Sequence, residues 1–340
     1  MRKGLWFFGL MLVAIVMLSA CGAKSQEDVT KDLQKKVENL KGYKVEAKMT
    51  LTVGNEPQTY NIDVWHEKPG NYRVHLKKPE KEQSQMIVRN KNGVFVLTPA
   101  LNKSYRFQSE WPDNSSQAYL YGSLVKDILD DKEATFKAEK DHYIFKTKTR
   151  YQNKNMLPTQ EITFKKGTLE PVSVKVMDTN QQPVLTVEFA KADFNAKFDE
   201  NSFDAKNSMT SAQLEILPVM GNLDEKEEFT VKYSMAEIPG VDLHDEKTVM
   251  TENGKRVLLS YTGEKSFTIF QEAAEAIPTS TMEIVQMNGE MVDLGFAIGA
   301  LTDGSISWTD SGVDYMVISN DLSPEEMVMV AKSVQGGAIK

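Results

Sequence analysis

The sequence has little cysteine, little histidine and no excess of basic charge. A single cysteine in 340 residues cannot form a disulfide within the chain, so a small fold that depends on disulfides is excluded. Four histidines without an HExxH motif or a compact grouping give weak grounds for a metal centre. A net charge of −8 argues against a nucleic-acid partner, which requires a basic surface. The remaining composition, with 41% hydrophobic residues, is that of a globular protein and not of a disordered one.

Signatures of catalytic chemistry are also missing from the sequence. It contains neither the GxSxG nucleophile motif nor a Walker A loop. The stretches TDGSIS and DSGVD resemble calcium-binding turns, but neither has the twelve-residue spacing of an EF-hand. We therefore expect a non-enzymatic protein with no catalytic residue, no metal site and no cofactor.

The single cysteine directly follows an apolar run. Two basic residues precede the almost wholly apolar stretch 5–18, and a serine and an alanine come next. This order is typical of a secretory signal peptide, and the run is short for a membrane-spanning helix. The quartet LSAC, which ends at Cys21, matches a bacterial lipobox. We predict removal of residues 1–20, a diacylglyceryl anchor on Cys21 and a position on the outer face of the cell membrane. The alternative is an uncleaved transmembrane anchor with an incidental cysteine.

Two helices and a long series of strands are predicted for the first two thirds of the chain. One helix should begin after Ser25 and end before Gly42, because apolar residues recur there at helical spacing. Another is predicted over residues 121–129. Stretches such as YKVEAKMTLTV alternate apolar and polar residues, which predicts roughly ten or eleven antiparallel strands. The two helices are the available cover for one apolar face of this sheet.

The second predicted helix could be a lid over a cavity, because it presents a broad apolar face. A concave apolar face of the sheet would then hold acyl chains or an apolar segment of a partner protein. The predicted lining residues are Val45, Met49, Leu51, Val64, Val74, Leu76, Tyr121, Leu124 and Ile128. The alternative is an interior that the protein fills with its own side chains.

A polar stretch without periodicity at 199–213 predicts a domain boundary. A smaller α+β unit follows. Its last helix has a clear start signal, with Ser323 at the N-cap, Pro324 at N1 and Glu326 at N3. We predict three segments: a signal peptide at 1–20, a first domain at 21–206, and a linker with a small C-terminal domain at 207–340.

The order of these elements resembles a known family of folds. A first helix, an alternating strand series, a helix near residue 120 and further strands are similar to the LolA/LolB lipoprotein-carrier fold. The stretch VEFAKADFNAKFDENSFDAK resembles the closing strand of that fold and the segment after it. With the lipobox, the chain resembles the YdcC group of sporulation lipoproteins in Bacillus-type bacteria. It is more distantly similar to the germination lipoprotein GerS and the envelope-stress sensor RseB.

The resemblance implies an α+β fold in which an antiparallel incomplete β-barrel is capped by helices and followed by a small C-terminal α+β domain. It implies a membrane-anchored protein that binds lipid, a lipoprotein or an apolar protein segment in envelope or sporulation processes. The alternative is a regulatory or structural scaffold with a self-filled cavity that binds an envelope enzyme. Arg73 and Arg89 are the candidates for the functional arginine of the carriers. An anchor at Cys21 departs from the carriers that cross the periplasm, which are soluble.

Overall fold

The computed structural model of the chain describes residues 24–52, 57–79, 84–216, 229–251, 254–277 and 283–334. The predicted signal peptide and Cys21 lie outside these residues, so both stay predictions. Within the described ranges, no helix is long and apolar enough to cross a membrane.

The first helix, α1 (Gln26–Asn39), begins where the sequence predicts it. Ser25 and Asp28 form a reciprocal capping box, in which each backbone amide donates to the other side chain at 3.2 Å. Val29 and Leu33, one turn apart, are fully buried in the main apolar core. The predicted start of this helix is therefore confirmed.

Eleven strands and a second helix follow along the chain up to residue 193 within the described residues. Before the helix the strands are β1 (Gly42–Leu51), β2 (Gln58–Glu67), β3 (Asn71–Lys77), β4 (Ser84–Asn90), β5 (Gly93–Thr98) and β6 (Lys103–Phe107). The helix is α2 (Tyr121–Asp130). After it come β7 (Thr135–Ala138), β8 (His142–Lys148), β9 (Thr159–Lys165), β10 (Pro171–Met177) and β11 (Pro183–Asp193).

These eleven strands form one sheet in the order β6-β5-β4-β3-β2-β1-β11-β10-β9-β8-β7, and every neighbouring pair is antiparallel. The first strand of the chain therefore lies in the middle of the sheet, paired with β2 on one side and β11 on the other. The apolar positions that alternation predicts within β1, Val45, Ala47, Met49 and Leu51, face the buried side. The helices α1 and α2 pack against each other.

A third helix, α3 (Ala205–Ile216), occupies the stretch that the sequence predicts to be an irregular boundary. Its Ala205, Met209 and Ala212 share one helical face and are buried. They pack against four apolar side chains of β4 and β5: Met86, Val88, Phe95 and Leu97. Because Ile87, Val94 and Val96 join the main core on the other side, β4 and β5 are buried on both faces. The polar stretch is thus part of the first sheet's cover.

The second sheet is smaller. The strands after α3 are β12 (Val241–Thr251), β13 (Gly254–Gly263), β14 (Phe267–Ala273), β15 (Ile284–Gln286), β16 (Glu290–Asp293), β17 (Ile298–Thr302), β18 (Ser305–Asp310) and β19 (Val313–Ile318). Seven of them form an antiparallel sheet in the order β12-β13-β14-β19-β18-β17-β16. The last helix, α4 (Pro324–Ser333), has the predicted capping box between Ser323 and Glu326 and buries Met327, Val330 and Ala331.

The remaining strand, β15, leaves the second sheet and pairs in parallel with β6, so it becomes the twelfth strand of the first sheet. The apolar core also continues from one sheet to the other: the turn at Gly295 lies 3.7 Å from Leu51 and Leu185, measured from an ideal Cβ position. The described residues thus form a predominantly β structure with two sheets and four α-helices, which agrees with the predicted long series of strands and few helices. Whether the two sheets are separate folding domains that divide at residue 206 stays a prediction.

Candidate functional site

The nine predicted cavity-lining side chains lie together in the interior of the first sheet. All of them are buried and belong to one continuous apolar cluster: Val45, Met49, Leu51, Val64, Val74, Leu76, Tyr121, Leu124 and Ile128. The Tyr121 ring packs edge-on against Phe164 and Phe194, with 6.1 and 4.9 Å between ring centroids. Its hydroxyl donates to the Leu169 carbonyl at 3.1 Å. These contacts are those of a packed interior; the role of the nine residues in ligand binding stays a prediction.

The predicted lid helix α2 is tied to the sheet by a buried carboxylate. Asp127 accepts hydrogen bonds from Ser116 Oγ at 2.9 Å, Gln160 Nε2 at 2.6 Å and Arg150 Nε at 2.5 Å. Burial raises the pKa of Asp127, although Arg150 and the hydrogen bonds favour the charged form. Four polar groups converge here from different segments, so α2 is held in one position.

The two candidate arginines are not brought together. Arg73 lies opposite Val88 across β3 and β4, and its guanidinium stacks on Trp65 at 4.2 Å. Arg89 lies opposite Tyr72, and its Nη1 is 3.3 Å from an Asp113 carboxylate oxygen. Since cross-strand partners share a face, the two arginines point to opposite faces of the sheet.

The histidines His66 and His75, on adjoining strands, also point to different faces. His66 stacks on Tyr72, with 4.3 Å between ring centroids, while His75 lies opposite Met86 on the side covered by α3. Burial lowers the pKa of His66 to about 4 and that of His75 to about 3. Both are therefore neutral side chains of the folded interior. Within the described ranges, the chain brings no three His, Cys, Asp or Glu residues together as metal ligands.

Charged residues join the two sheets. The buried Asp310 of β18 lies 3.1 Å from Lys78 Nζ, just after β3, and 3.4 Å from Lys232 Nζ. Burial opposes ionisation of Asp310, but the two ammonium groups outweigh it and lower its pKa. A second pair connects Lys103 Nζ of β6 to Asp314 of β19 at 2.7 Å.

Between the sheets lies a cavity of about 140 Å³. Its walls include Phe107 and Met287 and the stacked rings of Trp308 and Tyr315, whose centroids are 5.1 Å apart. Leu76 and Lys78 line a smaller neighbouring cavity of about 80 Å³. Both are well below the roughly 300–1,000 Å³ typical of ligand pockets.

A second polar cluster fixes α4 against the first sheet's loops. Tyr119 donates its hydroxyl proton to Asp293 at 2.7 Å, and Lys332 Nζ is 3.4 Å from Asn153 Oδ1. Burial lowers the pKa of Lys332 to about 8, although the nearby Asp293 carboxylate raises it. Burial likewise raises the pKa of Asp293. These shifted groups connect elements and are not arranged around an open cleft.

A larger groove, of about 720 Å³, lies outside the core. It runs between the C-terminal half of α1 and residues 194–197, just after β11. Four lysines and a phenylalanine are among its lining residues: Lys35, Lys36, Lys41, Lys197 and Phe194. This groove is not predictable from the sequence, because its two walls are more than 150 positions apart and the local signal is limited to the lysine content of LQKKVENLKG and NAKF.

The strand β12 is the most open edge that the second sheet presents among the described residues. It pairs with β13 on one side, and its other edge carries no strand. Eight of its eleven residues are exposed, including Val249 at 48% and Met250 at 74%. An open, partly apolar strand edge is a template for pairing with another strand.

Comparisons with known proteins give a family and a group of distant structures. A family model described as "Sporulation protein YdcC-like" matches residues 2–203. The chain is 52% identical to "Sporulation protein YdcC" of Bacillus subtilis (strain 168) over 330 residues, which is 97% of this chain and 96% of that protein.

Among solved structures, the chain is similar to MucB, with 14% identity, a TM-score of 0.35, and coverage of 92% of this chain and 98% of that one. A complex of the Clostridioides difficile CwlD amidase with the GerS lipoprotein gives 17% identity, a TM-score of 0.22, and coverage of 52% and 98%. A LolA superfamily protein from Nitrosomonas europaea gives 11% identity, a TM-score of 0.31, and coverage of 52% and 98%. These scores describe distant similarity.

Proposed function

This chain belongs to the YdcC-like family of sporulation proteins, and from that membership we propose that it is a non-enzymatic, lipid-anchored scaffold. Its signal peptide (1–20) is removed, and Cys21 carries diacylglycerol on the outer face of the cell membrane. Each buried methylene contributes about 0.8 kcal/mol, so two or three acyl chains hold such a protein stably. The lipobox sequence is the support for this anchor.

We further propose that the first sheet is the incomplete barrel of the LolA/LolB type and that the second sheet with α4 is a small α+β domain. The burial pattern supports this assignment. Inner-face residues from β1 to β3 and from β8 to β11 all join one cluster with α1 and α2.

The observation that carries the scaffold function is the burial of the predicted lining residues among the part of the chain that the structure describes. The nine side chains predicted to line a cavity are buried against each other and their neighbours. The carboxylate of Asp127 holds α2 in place, which disfavours a lid that opens for acyl chains. We propose that a partner protein of the envelope instead binds at the free edge of β12, with Val249 and Met250 as contacts.

A neutral lipid probe tests the filled interior. An acyl cavity would bind a fluorescent monoacylglycerol, which carries an acyl chain and no charge. We expect no saturable binding to the purified full-length chain. Saturable binding to the folded parent chain would support the carrier function and contradict the scaffold.

The anchor has its own test. Cys21→Ala should give an unprocessed precursor that incorporates no labelled palmitate, while the parent chain becomes labelled. Equal labelling of both would show that Cys21 is not the attachment point.

A further inference from the structure

The groove beside α1 combines a lysine rim with an apolar floor. Along α1, Asp32, Lys35, Lys36 and Asn39 share one helical face and form one wall. Lys41 extends this wall, and Lys197 belongs to the opposite one. The chain has a net charge of −8, but this groove is locally positive because four lysines and one aspartate line it.

Three of these lysines have no acidic partner. Among the residues the structure describes, Lys35, Lys41 and Lys197 have no carboxylate within 4.0 Å, whereas many other lysines of the chain are in ion pairs. Asp32, the one acidic residue lining the groove, is paired with Lys24 at 2.5 Å. The positive charge of the rim is therefore not neutralised by the protein itself.

The groove also has apolar lining residues. Phe194 and Leu40 line it, and the Lys36 ammonium lies 3.9 Å from the Phe194 ring centroid. Burial lowers the pKa of Lys36, although Glu170 raises it. At the end of the groove, a Cβ on Gly42 would lie 3.1 Å from the Ala196 carbonyl oxygen and 3.0 Å from that of His66. Glycine at this position permits the two walls to approach each other.

A rim of unpaired lysines above an aromatic and aliphatic floor is complementary to an amphiphile with an anionic head. We propose that this groove binds the headgroup of an anionic phospholipid of the membrane that carries the protein. The lysines would contact the phosphodiester, and Phe194 and Leu40 would contact the glycerol and the first methylenes. The groove volume of about 720 Å³ lies within the roughly 300–1,000 Å³ typical of small-ligand sites.

The distance from the anchor is compatible with this binding. The first residue of α1, Gln26, is five positions after Cys21, and an extended chain spans at most about 3.6 Å per residue, or about 18 Å in total. Lys35 lies nine residues into α1, about 14 Å along its axis at 1.5 Å per residue. When α1 lies along the membrane surface, the groove therefore reaches the headgroup layer.

This inference rests on the proposed anchoring at Cys21, which keeps the groove beside lipid. An experiment can nevertheless contradict the anchor without contradicting the groove, and the reverse. Loss of palmitate labelling concerns the anchor, whereas the experiment below measures the groove on purified protein.

The test uses the full-length chain in an uncharged detergent, titrated with short-chain phosphatidylglycerol, short-chain phosphatidylcholine or inorganic phosphate. Retained adducts are counted by native mass spectrometry. We expect phosphatidylglycerol to be retained, phosphatidylcholine to bind more weakly and phosphate not to compete. The triple variant Lys35→Gln, Lys41→Gln, Lys197→Gln should bind phosphatidylglycerol about a hundredfold more weakly, since each lysine near an anionic lipid contributes a factor of about five.

The matched control is Lys132→Gln, Lys175→Gln, Lys206→Gln, which removes the same charge from exposed positions elsewhere. It should keep the affinity of the parent chain. The inference is wrong if the control loses as much affinity as the groove variant, because binding would then follow net charge. It is also wrong if phosphatidylcholine binds as well as phosphatidylglycerol, or if phosphate displaces the lipid.

Discussion

The two sheets differ in how their edges and faces are covered. The first sheet has helices against one face, α3 on part of the other, and β15 along the edge of β6. Its two edge strands are short: β15 has three residues and β7 has four. The second sheet is covered by α4 but leaves the eleven residues of β12 open at its edge. A short edge strand offers few unpaired backbone groups to another strand, whereas the long edge of β12 offers many, which is why we propose it as the partner surface.

Leu124→Glu should have the largest effect on this comparison. The side chain is fully buried in α2, so the substitution places an unpaired charge in the core of the first sheet. We expect the free energy of unfolding to fall by at least about 3 kcal/mol, as measured by denaturant titration.

The control for this variant lies on the same helix. Leu129 is 40% exposed, and Leu129→Glu should change the free energy of unfolding by no more than about 0.5 kcal/mol. Equal stabilities of the two variants would contradict the packed interior of the first sheet.

Truncation should have the next largest effect, and it tests the predicted boundary at 206. A chain ending after Lys206 exposes the β4 and β5 side chains that α3 covers, whereas a chain ending after Ile216 keeps them buried. We expect the longer chain to be more stable by about 2–5 kcal/mol, the range for loss of a large buried side chain such as Met209. Denaturant midpoints of the two chains decide the matter, and identical midpoints would place the boundary at 206 as first predicted.

Acid should weaken the first sheet, because its two buried histidines are neutral when folded. Their folded pKa values, about 4 for His66 and about 3 for His75, lie below the unfolded value near 6.5. The unfolded chain therefore binds protons first, and stability falls as the pH drops from about 6.5 towards about 4. His75→Leu should reduce this pH dependence in denaturant titrations at several pH values. An unchanged slope would mean that His75 does not contribute to it.

Substitution at the open edge should affect stability least. Val249→Lys with Met250→Lys adds charge to exposed positions of β12, so the free energy of unfolding should change by no more than about 0.5 kcal/mol. Partner binding should nevertheless be lost, because lysines on an edge strand oppose pairing with another strand. The measurement is spore yield in cells that carry the variant at normal protein levels. Leu214→Lys, at an exposed position of α3, is the control and should leave yield unchanged.

Local patterns in the sequence were sufficient to predict the strands of the first sheet and the starts of two helices. Alternation placed Val45 and Met49 on the buried face, and the capping residues Ser25 and Ser323 were found where predicted. Helix α3 was missed because its buried face uses two alanines and one methionine within a polar stretch, which gives little periodic signal. The pairing of β15 with β6 was not predicted, because no local pattern reports contact between strands so far apart in the sequence.

The candidate site was harder to predict than the fold. Alternation identifies which side chains face inward but does not tell whether they enclose a space, since that depends on how residues distant in sequence pack. The lysine groove illustrates the same limit. Lys35 and Lys197 line one groove only because α1 lies beside the segment after β11, so no short window of the sequence shows their combined charge.

The central position of β1 has a mechanical consequence. The proposed anchor is attached to α1, and α1 leads directly into β1, which is paired over most of its length with β2 and β11. A load that enters through α1 would therefore reach the sheet at a central strand and not at an edge. Two ladders of hydrogen bonds would resist that load in parallel, and they would have to shear together before the strand could slide. An anchored edge strand would instead be peeled away one hydrogen bond at a time.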